Sequence, residues 1–301
     1  MTDLTFRDAF EAYESVRARL PNAAQAPEPR RIDTLEEIIA CHDAFLLDAF
    51  GVLNIGDQPI PGTAERIAQM RAAGKQVLVV SNAAGLPQAQ LVAKYARLGY
   101  DFASGDIITS RAALLAGLAG RTDRHWGLMA TRSAGLADLE HLTLTYLEED
   151  PAAYDAVEGF VLLGSAAWTA ERQALLEAAL SRRPRPVLVG NPDIVAPRDM
   201  GFSTEPGYFA HRLADRTGVV PEFFGKPFSN IYALAFARLS PLPDPARILM
   251  VGDSLHTDIL GAQAAGLSSA LVTGYGLFGG QSVDAALDKA AIRPSFLTTR
   301  P

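Results

Sequence analysis

The spacing of apolar positions along the chain changes twice. Between residues 6 and 20, apolar side chains recur every three or four positions, which predicts one face of an N-terminal helix. A loop rich in Ala and Pro follows at 22–30, and a second helical stretch is expected at about 35–41. Short apolar runs then alternate with helical patterns: strands at 44–50 and 76–80, and helices at 64–73 and 88–98. This β-α-β-α order predicts an α/β fold with a doubly wound, Rossmann-like parallel sheet.

The alternation continues through the rest of the chain. Strands are predicted at 126–130, 159–163, 186–189 and 248–251, with a last strand ending near 272, and helices at 170–180, 205–217, 230–238 and 258–265. The tail from Arg293 onward is expected to be a surface extension.

Composition narrows the class of protein. Of 301 residues, 49% are hydrophobic and 20% are charged, as expected for a globular protein, and the net charge is −7. This acidic balance argues against a nucleic-acid partner. The single cysteine, Cys41, excludes an internal disulfide and Cys-rich metal sites. No apolar stretch approaches 18 residues and the start is not a secretory signal, so no membrane partner and a cytoplasmic location are predicted.

Chemistry-bearing residues follow three of the predicted strands. Asp48 ends the first, Ser81 and Asn82 end the second, and Asp253 ends the strand at 248–251, with Lys226 in a loop before that strand. Ligands of open α/β sheets bind outside the carboxyl ends of the strands. Two carboxylates meeting there need a cation, and Mg²⁺ takes carboxylate oxygens and bridges to phosphate. The sequence therefore predicts a site for a bound phosphoryl group.

These residues lie in four motifs that resemble those of the haloacid dehalogenase superfamily. The motifs are Asp48-Ala49-Phe50-Gly51-Val52-Leu53, Val79-Val80-Ser81-Asn82, Gly225-Lys226-Pro227 and Gly252-Asp253-Ser254-Leu255-His256-Thr257-Asp258. The segments Gly261-Ala262, Ala265-Gly266 and Asn191-Pro192-Asp193 resemble the class IIA branch of sugar, phosphoglycolate and pyridoxal phosphatases. The resemblance spans roughly residues 43–276.

The resemblance implies a catalytic and metal-binding set. Asp48 would be the nucleophile that forms an aspartyl-phosphate, and Lys226 would orient it and screen its charge. Asp48, Asp253 and the backbone carbonyl of Phe50 would hold Mg²⁺.

The same resemblance assigns the supporting residues. Ser81, Asn82 and Lys226 would bind the phosphate. Asp258 and Ser254 would hold the metal ligands in position without binding the metal themselves. Class IIA members also carry an α/β cap of C2 type between the second and third motifs, which closes over the site. The implied division is an N-terminal helical extension at 1–40, a core at 41–108 and 217–301, and a cap at 109–216.

One position departs from the family's pattern. Phosphatases of the family usually have a second Asp at the position of Phe50, where it protonates the leaving group and then activates water. Phenylalanine can do neither, and such general acid–base catalysis is worth about 10²–10⁴-fold in rate. Four residues are considered as substitutes: His42, which lies at the wrong end of its strand, His256, expected to be an exposed loop histidine, and Asn54 and Asp57, in a flap after the first motif. Asn191 and Asp193 are interpreted as turn or cap-hinge residues.

The prediction is a Mg²⁺-dependent phosphoric monoester hydrolase that acts on a small phosphorylated metabolite, with a homodimer as a further expectation. Because of Phe50, a second hypothesis is a protein that binds a phosphorylated ligand with little or no turnover. A third is another covalent aspartyl reaction such as dehalogenation, which would be insensitive to EDTA.

Overall fold

The computed structural model describes residues 4–22, 24, 26–197 and 201–301. Within these ranges the strands are β1 (Arg30–Arg31), β2 (Ala44–Leu47), β3 (Asn54–Ile55), β4 (Gln58–Pro59), β5 (Gln76–Ser81), β6 (Ile107–Thr109), β7 (His125–Met129), β8 (Thr143–Tyr146), β9 (Gly159–Leu162), β10 (Val187–Val189), β11 (Val195–Pro197), β12 (Phe202–Thr204), β13 (Glu222–Phe223), β14 (Ile248–Gly252), β15 (Ser268–Val272) and β16 (Phe296–Thr298).

The α-helices in the same ranges are α1 (Phe6–Ser15), α2 (Thr63–Ala72), α3 (Gln88–Arg97), α4 (Ser110–Leu118), α5 (Pro151–Ala156), α6 (Ala170–Arg182), α7 (Pro206–Thr217), α8 (Ser229–Phe236), α9 (Leu260–Ala264) and α10 (Asp284–Ala290). Short 3₁₀ turns, a longer 3₁₀ stretch at Leu35–Cys41 and a π-helical turn at Leu255–Ile259 complete the helical structure of the described residues. None of these helices is long and apolar enough to cross a membrane.

The larger sheet has seven parallel strands in the order β1-β16-β15-β14-β2-β5-β6. From β2 the chain moves outward through β5 and β6, and it later returns to β14 on the other side of β2 and moves outward again. Strand β2 is buried on both faces, as a parallel sheet between helices requires. Its Ala44 and Leu46 pack in one apolar cluster with α4 and α8, and Phe45 and Leu47 pack in another with α2 and α3. The predicted doubly wound sheet is confirmed.

The second sheet has five parallel strands in the order β13-β10-β9-β7-β8, all from the segment between β6 and α8. Its own apolar cluster joins Phe160 and Leu162 of β9 to Leu176 and Leu180 of α6. This sheet is the predicted α/β insertion. The predicted domain limits at 109 and 216 stay a prediction. Strand β6, at the first limit, belongs to the larger sheet, and β13, which follows the second limit, belongs to the smaller sheet.

The two ends of the chain join the larger sheet, which the sequence interpretation missed. The prediction that the tail from Arg293 is a surface extension is wrong, because β16 lies between β15 and β1, with Leu297 buried. Residue 30, the last of the predicted loop, and residue 31 form the edge strand β1. The N-terminal helix begins at Phe6, directly after Thr5, whose side chain and that of Asp8 form a capping box, and it ends at Ser15, earlier than residue 20.

Candidate active site

The order of the larger sheet brings the polar strand ends together. Strand β2 pairs with β14 on one side and with β5 on the other, so Asp48, Asp253 and Ser81 leave neighbouring strands at the same edge. The chain reverses its direction of winding between β2 and β14. This position is the topological switch point at which open α/β sheets bind their ligands.

Lys226 links two of the carboxylates. Its Nζ lies 2.6 Å from Asp48 Oδ1 and 2.7 Å from Asp258 Oδ1. All three side chains are nearly or completely buried, with Lys226 and Asp258 inaccessible to solvent. In such surroundings these contacts are strong charge-assisted hydrogen bonds that fix the orientation of the Asp48 carboxylate.

Asp253 is held separately from this ion pair. Ser254 Oγ donates to its Oδ1 over 2.9 Å, and the backbone N–H of Leu277 donates to its Oδ2 over 2.8 Å. The turn after β2 passes directly beside this carboxylate. A Cβ on Gly51, which has φ +77°, would lie 2.6 Å from Asp253 Cβ, so the position requires glycine for space as well as for conformation.

The pKa values of the site follow from burial and from an excess of negative charge. Burial raises the pKa of Asp48 to about 6, against the lowering effect of the Lys226 ammonium. Burial, together with Asp258 and Asp48, raises the pKa of Asp253 well above its ordinary value. Burial disfavours the charged form of Lys226, but Asp258 and Asp48 outweigh it and raise the pKa of the ammonium.

The donor set fits a divalent cation. Asp48, Asp253 and Asp258 each offer one carboxylate oxygen, and these three atoms lie within 4.8 Å of one another. Three carboxylates facing one ammonium give a formal charge of 1 − 3 = −2 in a buried space. An oxygen-liganded divalent ion would balance that charge, as Mg²⁺ does in phosphate sites.

The second predicted motif contributes a hydroxyl and an amide. Ser81 Oγ accepts a hydrogen bond from the Ala83 N–H at 3.3 Å, and Tyr95, near Asp48, packs against it. Asn82 binds the backbone of Lys226 twice: its Oδ1 accepts from the N–H at 2.7 Å, and its Nδ2 donates to the carbonyl at 2.9 Å. Both hydrogens of that amide are used, because Nδ2 also donates to Asp193 Oδ1 at 2.7 Å.

Asp193 is the residue that sequence interpretation did not place at the site. It lies in the loop after β10, in the inserted segment, and its partner Asn82 is 111 positions earlier in the chain. The only sequence signal was the Asn191-Pro192-Asp193 segment itself, which was interpreted as a turn or hinge.

The contacts of His256 and His42 argue against both residues as substitutes for the acid that is missing at position 50. His256 is not an exposed loop residue: it is 1% exposed, its Nε2 lies 2.5 Å from Glu14 Oε1, and its ring stacks on Tyr13. His42 precedes β2, at the end opposite to Asp48, and its Nδ1 contacts the Ile38 carbonyl at 3.0 Å. Its ring is therefore remote from the Asp48 carboxylate.

Of the two flap residues, one is hydrogen-bonded within the hairpin and the other is exposed. Asn54 is buried and donates to the carbonyl of Gly56 at 2.7 Å. Asp57 is exposed at the tip of the β3–β4 hairpin. Phe50 itself is partly buried, and its role as a carbonyl ligand of the metal stays a prediction.

Known proteins similar to this chain are hydrolases. A family model described as haloacid dehalogenase-like hydrolase matches residues 45–139, and one described as HAD-hydrolase-like matches residues 223–299. D-glycerol 3-phosphate phosphatase of Mycobacterium tuberculosis is 29% identical over 269 residues, which cover 87% of this chain and 71% of that protein.

Solved structures share the fold. A possible sugar phosphatase of the HAD superfamily from Cytophaga hutchinsonii superposes with a TM-score of 0.77 at 24% identity, covering 90% of this chain and 98% of its own. Glycerol phosphate phosphatase of Mycobacterium tuberculosis in complex with magnesium gives a TM-score of 0.68 at 26% identity, covering 86% and 75%. Both family models describe hydrolases of the haloacid dehalogenase type, and the two parallel sheets match the class IIA arrangement of solved structures of that type.

Proposed function

We propose that the protein is a Mg²⁺-dependent phosphatase that acts on a small phosphorylated metabolite through an aspartyl-phosphate on Asp48. The observation that carries this proposal is the buried Asp48–Lys226–Asp258 ion pair beside Asp253 at the switch point of the sheet. Phosphatases among the similar proteins support the reaction class. A cytoplasmic location and a homodimer accompany the proposal as predictions.

Each residue has a role that its contacts support. Lys226 keeps Asp48 ionised and oriented so that a carboxylate oxygen attacks phosphorus and the bond to the leaving oxygen breaks. Ser81 and Lys226 contact the phosphoryl oxygens, and Asn82 acts as a positioning residue, because its amide is used on Lys226 and Asp193. Asp258 stabilises the lysine, and Ser254 orients Asp253.

The metal site would consist of Asp48, Asp253 and the carbonyl of Phe50. When bound, Mg²⁺ would supply positive charge that neutralises the phosphoryl oxygens as negative charge develops on them. Asp258 is already engaged by Lys226 and by the Ser254 N–H at 3.1 Å, so we assign it a supporting role rather than direct ligation.

Phosphate release from p-nitrophenyl phosphate and acetyl phosphate, with Mg²⁺ and with EDTA, tests the proposal. These substrates have good leaving groups that need little protonation. We expect turnover that requires Mg²⁺, and we expect Asp48→Asn to abolish it. The matched control is Asp57→Asn, an exposed carboxylate on the nearby hairpin, which should retain activity. Retained turnover in Asp48→Asn would rule out the nucleophile assignment.

Phe50 favours a second candidate function, the binding of a phosphorylated ligand with little turnover. Its aromatic side chain cannot transfer a proton at the end of the nucleophile strand. If the wild type binds inorganic phosphate without hydrolysing either substrate, and Phe50→Asp does not create hydrolysis, the binding function is favoured over the phosphatase.

A further inference from the structure

Phosphate ester cleavage at Asp48 requires a proton that none of the groups assigned so far can supply. An alkoxide leaving group must be protonated as its bond to phosphorus breaks, and the water that later attacks the phosphoenzyme must lose a proton. The turn after Asp48 offers Ala49, Phe50 and Gly51, which have no titratable group. Lys226 and Asp258 form an ion pair with each other.

Asp193 lies next to these residues, and its carboxyl group has so far no assigned role. Its Oδ1 accepts from Asn82 Nδ2 at 2.7 Å, and the same amide nitrogen donates to the Lys226 carbonyl at 2.9 Å. Lys226 in turn binds Asp48 at 2.6 Å. Asp193 is thus connected to the nucleophile through only two intervening residues.

The backbone around Asp193 packs tightly against the Lys226 loop. A Cβ on Gly225, which has φ +127°, would lie 2.9 Å from Pro192 Cδ, so the two loops are in direct contact. The Asp193 N–H donates to Asn191 Oδ1 at 3.0 Å, and its carbonyl accepts from the Gly207 N–H at 3.0 Å. These bonds fix the position from which the carboxyl group extends.

The Asp193 carboxyl group can still contact a bound molecule. Asp193 is partly accessible to solvent, unlike Asp253 and Asp258. Among the described residues, its Oδ2 accepts no hydrogen bond, whereas its Oδ1 does. One oxygen is therefore anchored to the site while the other is available to a bound molecule.

We propose that Asp193 moves the proton in both half-reactions, an inference that rests on the proposed phosphatase function. As Asp48 bonds to phosphorus, the leaving oxygen takes the proton of the Asp193 carboxyl group and departs as the alcohol. The Asp193 carboxylate then takes a proton from the attacking water. The new P–O bond releases inorganic phosphate, the bond to Asp48 breaks, and both aspartates return to their starting state.

The electrostatics of the position suit this task. Burial raises the pKa of Asp193 to about 7, although the Asn82 hydrogen bond and Lys226 lower it. The carboxylates of Asp48 and Glu205 raise it further, and burial together with Asp193 raises the pKa of the nearby Tyr13 hydroxyl. A group with a pKa near the working pH serves efficiently as both acid and base.

The leaving-group dependence of Asp193→Asn is the decisive measurement. The variant preserves size and an oxygen that can accept from Asn82. On an alkyl phosphate such as glycerol phosphate, we expect kcat/KM to fall by about 10²–10⁴-fold. With p-nitrophenyl phosphate we expect a burst of one nitrophenolate per enzyme followed by slow turnover, because the first step then needs no proton donor, whereas the second still needs a base that takes a proton from water.

Further measurements separate proton transfer from a structural role. We expect the limb of the wild-type pH–rate profile with an apparent pKa near 7 to be absent in Asp193→Asn. Asp193→Glu should recover part of the activity, and added formate should partly rescue Asp193→Ala. Asp155→Asn, an exposed carboxylate of the insertion, is the control and should match the wild type.

The outcomes are distinct. Equal losses on both substrates with no burst, or activity equal to that of the control, would overturn the role of Asp193 while leaving the phosphatase intact. If the wild type itself releases no phosphate from any substrate, the proposed function fails instead. If Asp193→Asn does not fold, the formate response of Asp193→Ala and the profile of Asp193→Glu decide the question.

Discussion

His211 shows how a single buried side chain makes stability depend on pH. It is 3% exposed, its ring stacks on Phe223 with centroids 4.8 Å apart, and its Nδ1 has no hydrogen-bond partner among the described residues. Burial lowers the pKa of His211 to about 4, and Arg19 adds to this effect while Asp215 opposes it. The folded protein therefore holds this imidazole neutral at pH values where the unfolded chain would protonate it.

The consequence is a loss of stability on acidification. Because the folded pKa lies below the unfolded value, the contribution is complete above pH 6.5 and is lost as pH falls toward 4, by about 3 kcal/mol at most. We expect His211→Phe, which keeps an aromatic ring against Phe223, to reduce the fall in unfolding free energy between pH 7.5 and 5. His141→Phe, at an exposed position, should leave the wild-type slope unchanged. Identical slopes in all three proteins would contradict the prediction.

At the scale of elements, helix α1 joins parts of the molecule that are far apart in sequence. Its Tyr13 and Glu14 contact His256 of the Asp253 loop, and the Tyr13 hydroxyl accepts from the Ile194 N–H at 3.2 Å. Beyond its end, Arg19 forms an ion pair with Asp215 of α7. The helix therefore holds the larger sheet and the inserted segment together.

Removing one hydroxyl group tests this connection. In Tyr13→Phe the buried N–H of Ile194 loses its acceptor, and such an unsatisfied donor costs about 1–3 kcal/mol. We expect the free energy of unfolding in urea to fall by that amount. Tyr208→Phe, which removes a hydroxyl from a side chain that is 37% exposed, is the control and should change stability little. A loss in the control equal to that in Tyr13→Phe would refute the special role of the α1 contact.

Sequence patterns predicted the long elements and most of the candidate site, because both depend on residues that are close together in the sequence. The buried strands β2, β5 and β14 produced clear apolar runs, and the candidate site residues lie at their ends, so the position of Asp48 and Asp253 followed from topology. Strands β1 and β16 have two and three residues, too few to show alternation. They exist because the larger sheet supplies hydrogen-bonding partners from the rest of the chain.

Contacts across long sequence separations were not predictable in the same way. His256 is paired with Glu14, 242 positions away, and nothing in its own loop indicates burial. Asp193 reaches the site only because its loop packs on Gly225 and meets Asn82. The first contact depends on how α1 packs against the Asp253 loop, and the second on how the insertion packs against the larger sheet, and periodicity encodes neither.

At the scale of the whole molecule, the candidate site brings several negatively charged side chains together in the buried interior. The net charge of the chain is −7, and three of its carboxylates lie close together at the switch point, where Lys226 pairs with two of them. Without a cation this arrangement lowers stability, since the mutual repulsion of Asp48, Asp253 and Asp258 is poorly screened in the interior. We therefore expect metal binding and folding stability to be coupled.

Thermal unfolding of wild type and Asp253→Asn, with Mg²⁺ and with EDTA, measures that coupling. Mg²⁺ should raise the midpoint of the wild type, because a ligand that binds the native state at 100 times its Kd stabilises it by about 2.7 kcal/mol. Asn at position 253 removes one buried charge, so the midpoint in EDTA should rise, while the response to Mg²⁺ should disappear. Asp57→Asn, exposed on its hairpin, should behave as the wild type in both conditions. A wild-type midpoint that does not respond to Mg²⁺, or an Asp253→Asn variant that still does, would show that the acidic cluster does not hold the metal.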